Sequence, residues 1–263
     1  MSITNFVKLI IPSPLKKGVR RFLGINNLVE QISILNEKFI ELEQTINQKI
    51  KDLEYIVFGG NMWDRSRIRW MNSSPDEGLT WQINLTGDAF VNKLREYIDF
   101  SEEKSILDLG PGYGRIFKSI VNLNVPFKSY TGLDISIKSV DFLNSNFGAK
   151  SVNFVIGDME AVILENNYDI VVSSLTFKHL FPTFKKTLLN ISKYLNKNSV
   201  IAFDLIEGDS WGVEKLSDTY IKKYTKHEVE AILREIGFGV VKFDIVSHAP
   251  GFDRLLVIAK KNF

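Results

Sequence analysis

The 263-residue chain contains no cysteine, which excludes disulfides, thiolate metal sites and a cysteine nucleophile. Histidine is scarce too, with three in all, so the search for a proton-accepting imidazole is short. No stretch approaches the ~18 apolar residues that span a bilayer. Lys8, Pro12 and Pro14 interrupt what would otherwise resemble the apolar core of a secretory signal, and the expected location is cytoplasmic. Acids are missing from residues 1–24, which hold Lys8, Lys16, Lys17, Arg20 and Arg21. Since the whole chain carries +2, the rest sums to −3. A mildly acidic body is a poor general binder of nucleic acid, and no nucleic-acid partner is expected. Asp204 and Glu207 are candidate polar contacts near the end of a fifth strand, but two carboxylates are too few for a metal site, and none is expected.

The most informative segment present is Ile106-Leu107-Asp108-Leu109-Gly110-Pro111-Gly112-Tyr113-Gly114-Arg115. A short apolar strand runs into three alternate glycines, and an amphipathic helix follows. Side chains at those glycines would hold a ligand away from the backbone, and the helix start offers N–H groups to it. A second strand ends at Asp134, 24 residues after Gly110, where doubly wound folds place an acid against ribose hydroxyls. A third, Val152–Ile156, ends in Gly157-Asp158-Met159-Glu160. A fourth, Tyr168 to Ser174, runs into Leu175-Thr176-Phe177-Lys178-His179. Ligands of open α/β sheets bind at those carboxyl ends. A dinucleotide site is disfavoured, because Arg115 stands where G-x-G-x-x-G needs its third glycine.

With these residues in place, residues 85–263 resemble the class I S-adenosylmethionine-dependent methyltransferases. The resemblance implies a Rossmann-like α/β fold with a mostly parallel seven-stranded sheet and one antiparallel strand near an edge. It implies S-adenosyl-L-methionine as cofactor. Asp108, Gly110, Pro111, Gly112 and Gly114 would form the glycine-rich first motif, with Gly110 and its neighbours against the methionine part. Asp134, with Ile135 beside it, would hold the ribose. Asp158 and Met159 would flank the adenine, and Ser173 to Leu175 would form the far wall.

Methyl transfer to a hydroxyl also needs a base. His179, just after the fourth strand, is the first candidate, although the family that the chain resembles often has a histidine there for structural reasons. His248 is the second, in an expected turn Ser247–Arg254 between a sixth parallel strand, Val240–Val246, and an antiparallel last strand, Leu255–Ala259. In that turn Asp253 and Arg254 are candidate acceptor contacts. So are Asp204 and the sugar-stacking faces of Trp81 and Trp211. His227 follows a Thr225 helix cap and is assigned to structure.

Residues 25–57 carry a 3-4 apolar repeat. Ile25, Ile32, Phe39, Ile46 and Leu53 form one set, and Leu28, Leu35, Leu42, Lys49 and Ile56 the other. This is a coiled-coil seam, which predicts self-association as a dimer or trimer; packing on the chain's own domain is the alternative. Residues 1–24 are basic and apolar, suited to peripheral contact with an anionic membrane surface at its inner face or to a disordered tail. Residues 58–86, with Trp63, Arg65, Arg67, Arg69, Trp70 and Trp81, read as a loop-like connector that could cover the ligand, and Gly59-Gly60 is expected to end the long helix. Residues 87–263 form the catalytic domain. The expected function is O-methylation of a sugar hydroxyl, since the N-terminal layout is similar to bacterial methyltransferases of surface-polysaccharide assembly. A small metabolite or lipid acceptor and a non-catalytic scaffold are the alternatives.

Overall fold

The computed structural model describes residues 25–74, 86–215, 217–249 and 252–261. The chain divides into two units, Met1–Ile56 and Val57–Phe263. In the first, Ile25–Glu54 forms the 30-residue helix α1. It contains no proline or glycine, so nothing breaks it. Leu28, Leu35, Phe39, Leu42, Ile46 and Leu53 are all exposed along it, Phe39 by 67%. The basic segment 1–24 lies outside the described residues.

The glycines at 59 and 60 do not end in a loop. A π-helical turn, Tyr55–Gly59, is followed by a second helix, α2, Gly60–Asn72. Gly59 sits at φ −63°, ψ −41°, ordinary right-handed helix. Glycine costs ~1 kcal/mol in a helix but does not forbid one, and packing decides. A Cβ at Gly60 would lie 3.5 Å from the Phe181 ring, so the helix start fits closely against that side chain.

The sheet forms because apolar, β-branched runs suit strands buried on both faces. Its order is β3-β2-β1-β4-β5-β9-β8. These strands are β1 (Ser105–Leu109), β2 (Ser129–Asp134), β3 (Val152–Ile156), β4 (Tyr168–Ser173), β5 (Leu195–Ile206), β8 (Phe238–Ala249) and β9 (Phe252–Lys261). All neighbours pair in parallel except β9, which runs antiparallel between β5 and β8. This is the expected sheet. The eight-residue turn expected after β8 is shorter, because β8 reaches Ala249 and β9 already begins at Phe252.

Period-2 alternation splits the core in two. Ile106, Tyr130, Ile170, Val172 and Ile258 face one side, with helices α3 (Asp88–Arg95), α4 (Arg115–Asn122) and α5 (Ile137–Phe147). Leu107, Leu109, Leu133, Val171, Phe203 and Val257 face the other, with α6 (Lys185–Ile191) and α7 (Lys226–Glu235). Thr225 caps α7 by accepting from the Glu228 amide at 3.2 Å, as its sequence implies. A small hairpin of β6 (Trp211–Glu214) and β7 (Thr219–Lys222) interrupts the run from β5 to α7. The amphipathic pattern does not announce it, since each strand has only four residues.

Candidate active site

A cavity opens at the carboxyl ends of β1, β2 and β4, with ≈ 1220 Å³ of non-atom space including its mouth. The glycine turn after β1 forms its floor. Gly110, Gly112 and Gly114 have φ of 75°, 58° and 81°, a left-handed region costly for other residues. Their reasons differ. A Cβ at Gly110 would stand 2.5 Å from the Thr176 side chain, and one at Gly114 would stand 2.7 Å from Leu143. Gly110, Pro111 and Gly112 line the cavity; Gly114 instead lets α4 start close to α5.

Asp134 ends β2 and is buried. Its Oδ2 accepts from the Gly112 amide at 2.9 Å and its Oδ1 from the Ser136 amide at 2.9 Å. Burial raises its pKa, and these amides oppose the rise. Next along the wall come Ile135 and then Asp158, Met159 and Glu160 beyond β3. Asp158 accepts from the Glu160 amide at 2.9 Å and from Arg67 of α2 at 2.5 Å. Buried Glu160 accepts from Lys186 at 3.1 Å.

At the end of β4, Leu175 is held at φ 59°, strained for a leucine. Its amide donates to Asp204 at 2.6 Å. Arg254 donates its Nε to the same carboxylate at 2.9 Å, and Arg115 donates to the Ser174 carbonyl at 3.0 Å.

The far end of the cavity is built by α2, the 3₁₀ turn Phe177–His179 and the β6–β7 hairpin. Trp63, Arg67 and Trp70 recur at i, i+4 and i+7, so one face of α2 lines it. Ser66 joins α2 to β7 by accepting from the Tyr220 amide at 2.6 Å. The Tyr220 carbonyl in turn lies 2.7 Å from His179 Nδ1. A carbonyl only accepts, so Nδ1 carries the proton and Nε2 carries the lone pair. Burial and then the neighbouring Lys178 ammonium lower the His179 pKa to about 3. Lys178 is itself buried and ion-paired with Glu214.

The structure thus gathers Gly110, Pro111, Gly112, Asp134, Ile135, Asp158, Met159, Leu175 and His179 around one cavity. Other candidates lie elsewhere. Asp108 shares the sheet face of Ile106 and accepts from the buried Tyr130 hydroxyl, behind the wall. Burial raises its pKa to about 7. Ser173 donates to the Leu109 carbonyl at 2.8 Å and ties β4 to β1. Asp204 and Arg254 are corrected from acceptor contacts to a buried pair that supports Leu175. Asp253 and Arg254 belong to β9 rather than a turn, and Asp253 pairs in register with His248 near the end of β8. Trp211 opens β6 and, like Asp253, is not part of the cavity lining. Trp81 and the His248 side chain lie outside the described residues.

Sequence reasoning missed Arg115, Lys178 and Glu214 as cavity residues. Lys178 reads as a surface lysine, and Glu214 sits on a hairpin too short to show a period. The i, i+4, i+7 spacing of Trp63, Arg67 and Trp70 was the available signal for α2.

Sheet order, glycine turn and the acid ending β2 together define a doubly wound nucleotide-type domain. The family profile described as Methyltransferase domain matches residues 100–244, more than half of the chain, and the chain belongs to that family. Similar curated proteins include a malonyl-[acyl-carrier protein] O-methyltransferase of Bacillus anthracis, 25% identical over 51% of this chain and 47% of that one. Another is the phthiotriol/phenolphthiotriol dimycocerosates methyltransferase of Mycobacterium leprae, 27% identical over 57% and 58%. The chain spans about half the length of the curated relatives it matches. Among solved structures, a SAM-dependent methyltransferase of Leishmania major has a TM-score of 0.62 at 20% identity, covering 76% of this chain and 83% of that one. The glycopeptide N-methyltransferase MtfA, solved with S-adenosyl-L-homocysteine, has 0.57 at 14%, covering 68% and 91%. The fold is the Rossmann-like class I methyltransferase fold.

Proposed function

We propose that the chain is an S-adenosylmethionine-dependent O-methyltransferase acting on a hydroxyl acceptor, a sugar hydroxyl of bacterial glycan or polysaccharide biosynthesis. The observation that carries this reading is a single cavity lined both by the glycine turn with Asp134 and by His179, whose Nδ1 is committed to the Tyr220 carbonyl. S-adenosylmethionine supplies a methyl already activated on a sulfonium. The residues fit it. Gly110 and Gly112 expose backbone, Asp134 keeps carboxylate lone pairs beyond those engaged by the two amides, and Asp158, Met159 and Leu175 complete the walls. His179 would take the acceptor proton at Nε2. A pKa of about 3 suits this only late in the reaction, once the new O–C bond has made the oxygen strongly acidic.

The sugar reading rests on the N-terminal arrangement, a basic apolar segment followed by a seam helix and then this domain. A second reading, a small metabolite or a lipid hydroxyl, is favoured by a specific observation: Asp253 and Arg254 do not line the cavity, whereas Trp63, Trp70 and Leu180 do. The acceptors named for these two curated relatives, a malonyl-[acyl-carrier protein] and phthiotriol or phenolphthiotriol dimycocerosates, are not sugars either. Incubation with methyl-labelled S-adenosylmethionine and bacterial glycan or lipid fractions tests the choice. Label in the glycan fraction supports the first reading, label in lipid the second, and label in neither with no cofactor binding leaves a scaffold.

Self-association through α1 is part of the same proposal. Isoleucine at most first positions and leucine at most second positions favours a parallel dimer. In that register Lys38 meets Glu43 of a second copy, an opposite-charge pair flanking the seam. No helix among the described residues is long and apolar enough to cross a membrane; the basic, apolar composition of residues 1–24 supports peripheral contact with an anionic membrane surface as part of the proposal.

A further inference from the structure

Trp70 and His179 stand ring against ring, centroids 5.0 Å apart and planes tilted by 56°, on the same wall of the cavity. Their polar atoms are complementary and unspent. The Trp70 Nε1–H is buried and has no hydrogen-bond partner among the described residues. An indole nitrogen can only donate. His179 is the converse. Its Nδ1–H is committed to the Tyr220 carbonyl, which leaves Nε2 able only to accept, and Nε2 has no partner among the described residues. The charges acting on His179, Lys178 and Glu214, are paired with each other.

One orphan donor beside one orphan acceptor, next to a neutralised ion pair, describes the complement of a hydroxyl group. We propose that Trp70 and His179 form a two-point cradle that takes a neutral hydroxyl of the acceptor, its proton on His179 Nε2 and its oxygen lone pair on Trp70 Nε1–H, and that this cradle selects hydroxyl over carboxylate acceptors. A carboxylate would meet the Trp70 donor but would set its lone pairs against Nε2. Leaving a buried donor unpaired is costly, so a ligand that supplies its partner is favoured over one that does not. On methyl transfer the acceptor O–H bond would break and its proton would pass to the Nε2 lone pair. S-adenosylmethionine, when bound, would supply the methyl, the O–C bond forming as the S–C bond breaks with its electron pair left on sulfur as the thioether. Because Nε1 is sealed from water in this structure, a hydroxyl reaches it only with a turn of the indole, and that turn is observable. The proposal rests on the methyltransferase reading for its chemistry, but not for its binding geometry.

The test is a nitrogen–proton NMR titration of the full chain with ethanol as the hydroxyl probe and acetate as the carboxylate probe, with and without S-adenosylhomocysteine. The Trp70→Phe variant assigns the Trp70 indole signal, and only two other imidazoles compete with His179 for assignment. Ethanol is expected to move the Trp70 indole proton downfield and the His179 Nε2 nitrogen upfield, both saturating together, while acetate moves neither. In Trp70→Phe the ethanol shift at His179 should weaken at least threefold. Acetate shifting the indole as far as ethanol does, or ethanol leaving both signals still, would overturn the cradle. Both criteria are read on the unaltered protein, and if Trp70→Phe fails to fold the Trp70 signal is assigned by elimination with Trp63→Phe, Trp81→Phe and Trp211→Phe. Failure of S-adenosylhomocysteine to bind would instead strike the methyltransferase reading, because the ethanol response is also read without it.

Discussion

Arg67 on α2 donates to the Asp158 carboxylate at 2.5 Å, tying the helix above the cavity to the loop after β3. Side-chain exposures of 38% and 27% make this a screened pair worth ~1 kcal/mol or less. Arg67→Ala should therefore leave thermal unfolding almost unchanged. It should speed release of S-adenosylhomocysteine about fivefold, since a lid contact acts mainly on dissociation. Stopped-flow displacement measures this, and an unaltered release rate would show that α2 does not cover the cofactor.

Asp134 anchors two backbone amides and faces the cavity. Asp134→Asn replaces one acceptor oxygen with a donor that opposes an amide. The expected result is cofactor affinity lower by about 10- to 100-fold, the cost of one or two charge-assisted hydrogen bonds, with an unchanged circular dichroism spectrum. An unchanged affinity would remove the ribose assignment.

Lys178 and Glu214 form a buried ion pair. Removing one partner strands a charge, so Lys178→Met alone should destabilise by about 3–5 kcal/mol. The double substitution Lys178→Met with Glu214→Leu should recover most of that loss. Denaturant unfolding of the single and double variants checks both, and additive losses would contradict the pairing.

Buried Asp108 and half-buried His179 work against each other in the pH dependence of stability. Asp108 rises from 3.8 to about 7 through burial, so the folded state binds the extra proton and stability is lost as pH rises through that window. His179 falls from 6.5 to about 3 through burial and Lys178, so stability is lost as pH falls through its window. Between pH 4 and 6.5 the two slopes nearly cancel. Asp108→Asn should unmask a stability that climbs with pH, and His179→Gln one that declines, each by up to ~1.4 kcal/mol per pH unit. Identical pH profiles in both variants would contradict these shifts.

On α1, charged replacements at exposed Leu35 and Leu42 should lower the mass measured by light scattering to that of a monomer. Glu43→Lys should weaken the assembly, and Lys38→Glu in the same chain should restore it. A mass unchanged by the leucine replacements would refute the seam.

Much of the domain was legible because its signals are local. Strands β1 to β4, the glycine turn, Asp134 and the Thr225 cap follow from apolar runs, left-handed positions and capping chemistry that neighbouring residues determine. The misreadings needed tertiary information. Gly59 and Gly60 look like a helix stop, yet packing on Phe181 and the Ser66–Tyr220 bond hold α2 helical. Arg254 looks like a binding residue in a turn, yet β9 begins two residues earlier and buries it against Asp204. Lys178 looks solvated until the β6–β7 hairpin brings Glu214 to it.

The most direct measurement is calorimetric titration of the purified chain with S-adenosylmethionine and S-adenosylhomocysteine, with NAD as control. The cavity built on Gly110, Gly112 and Asp134 predicts micromolar binding of the first two and none of NAD. No binding of either, or binding of NAD in their place, would contradict the central claim.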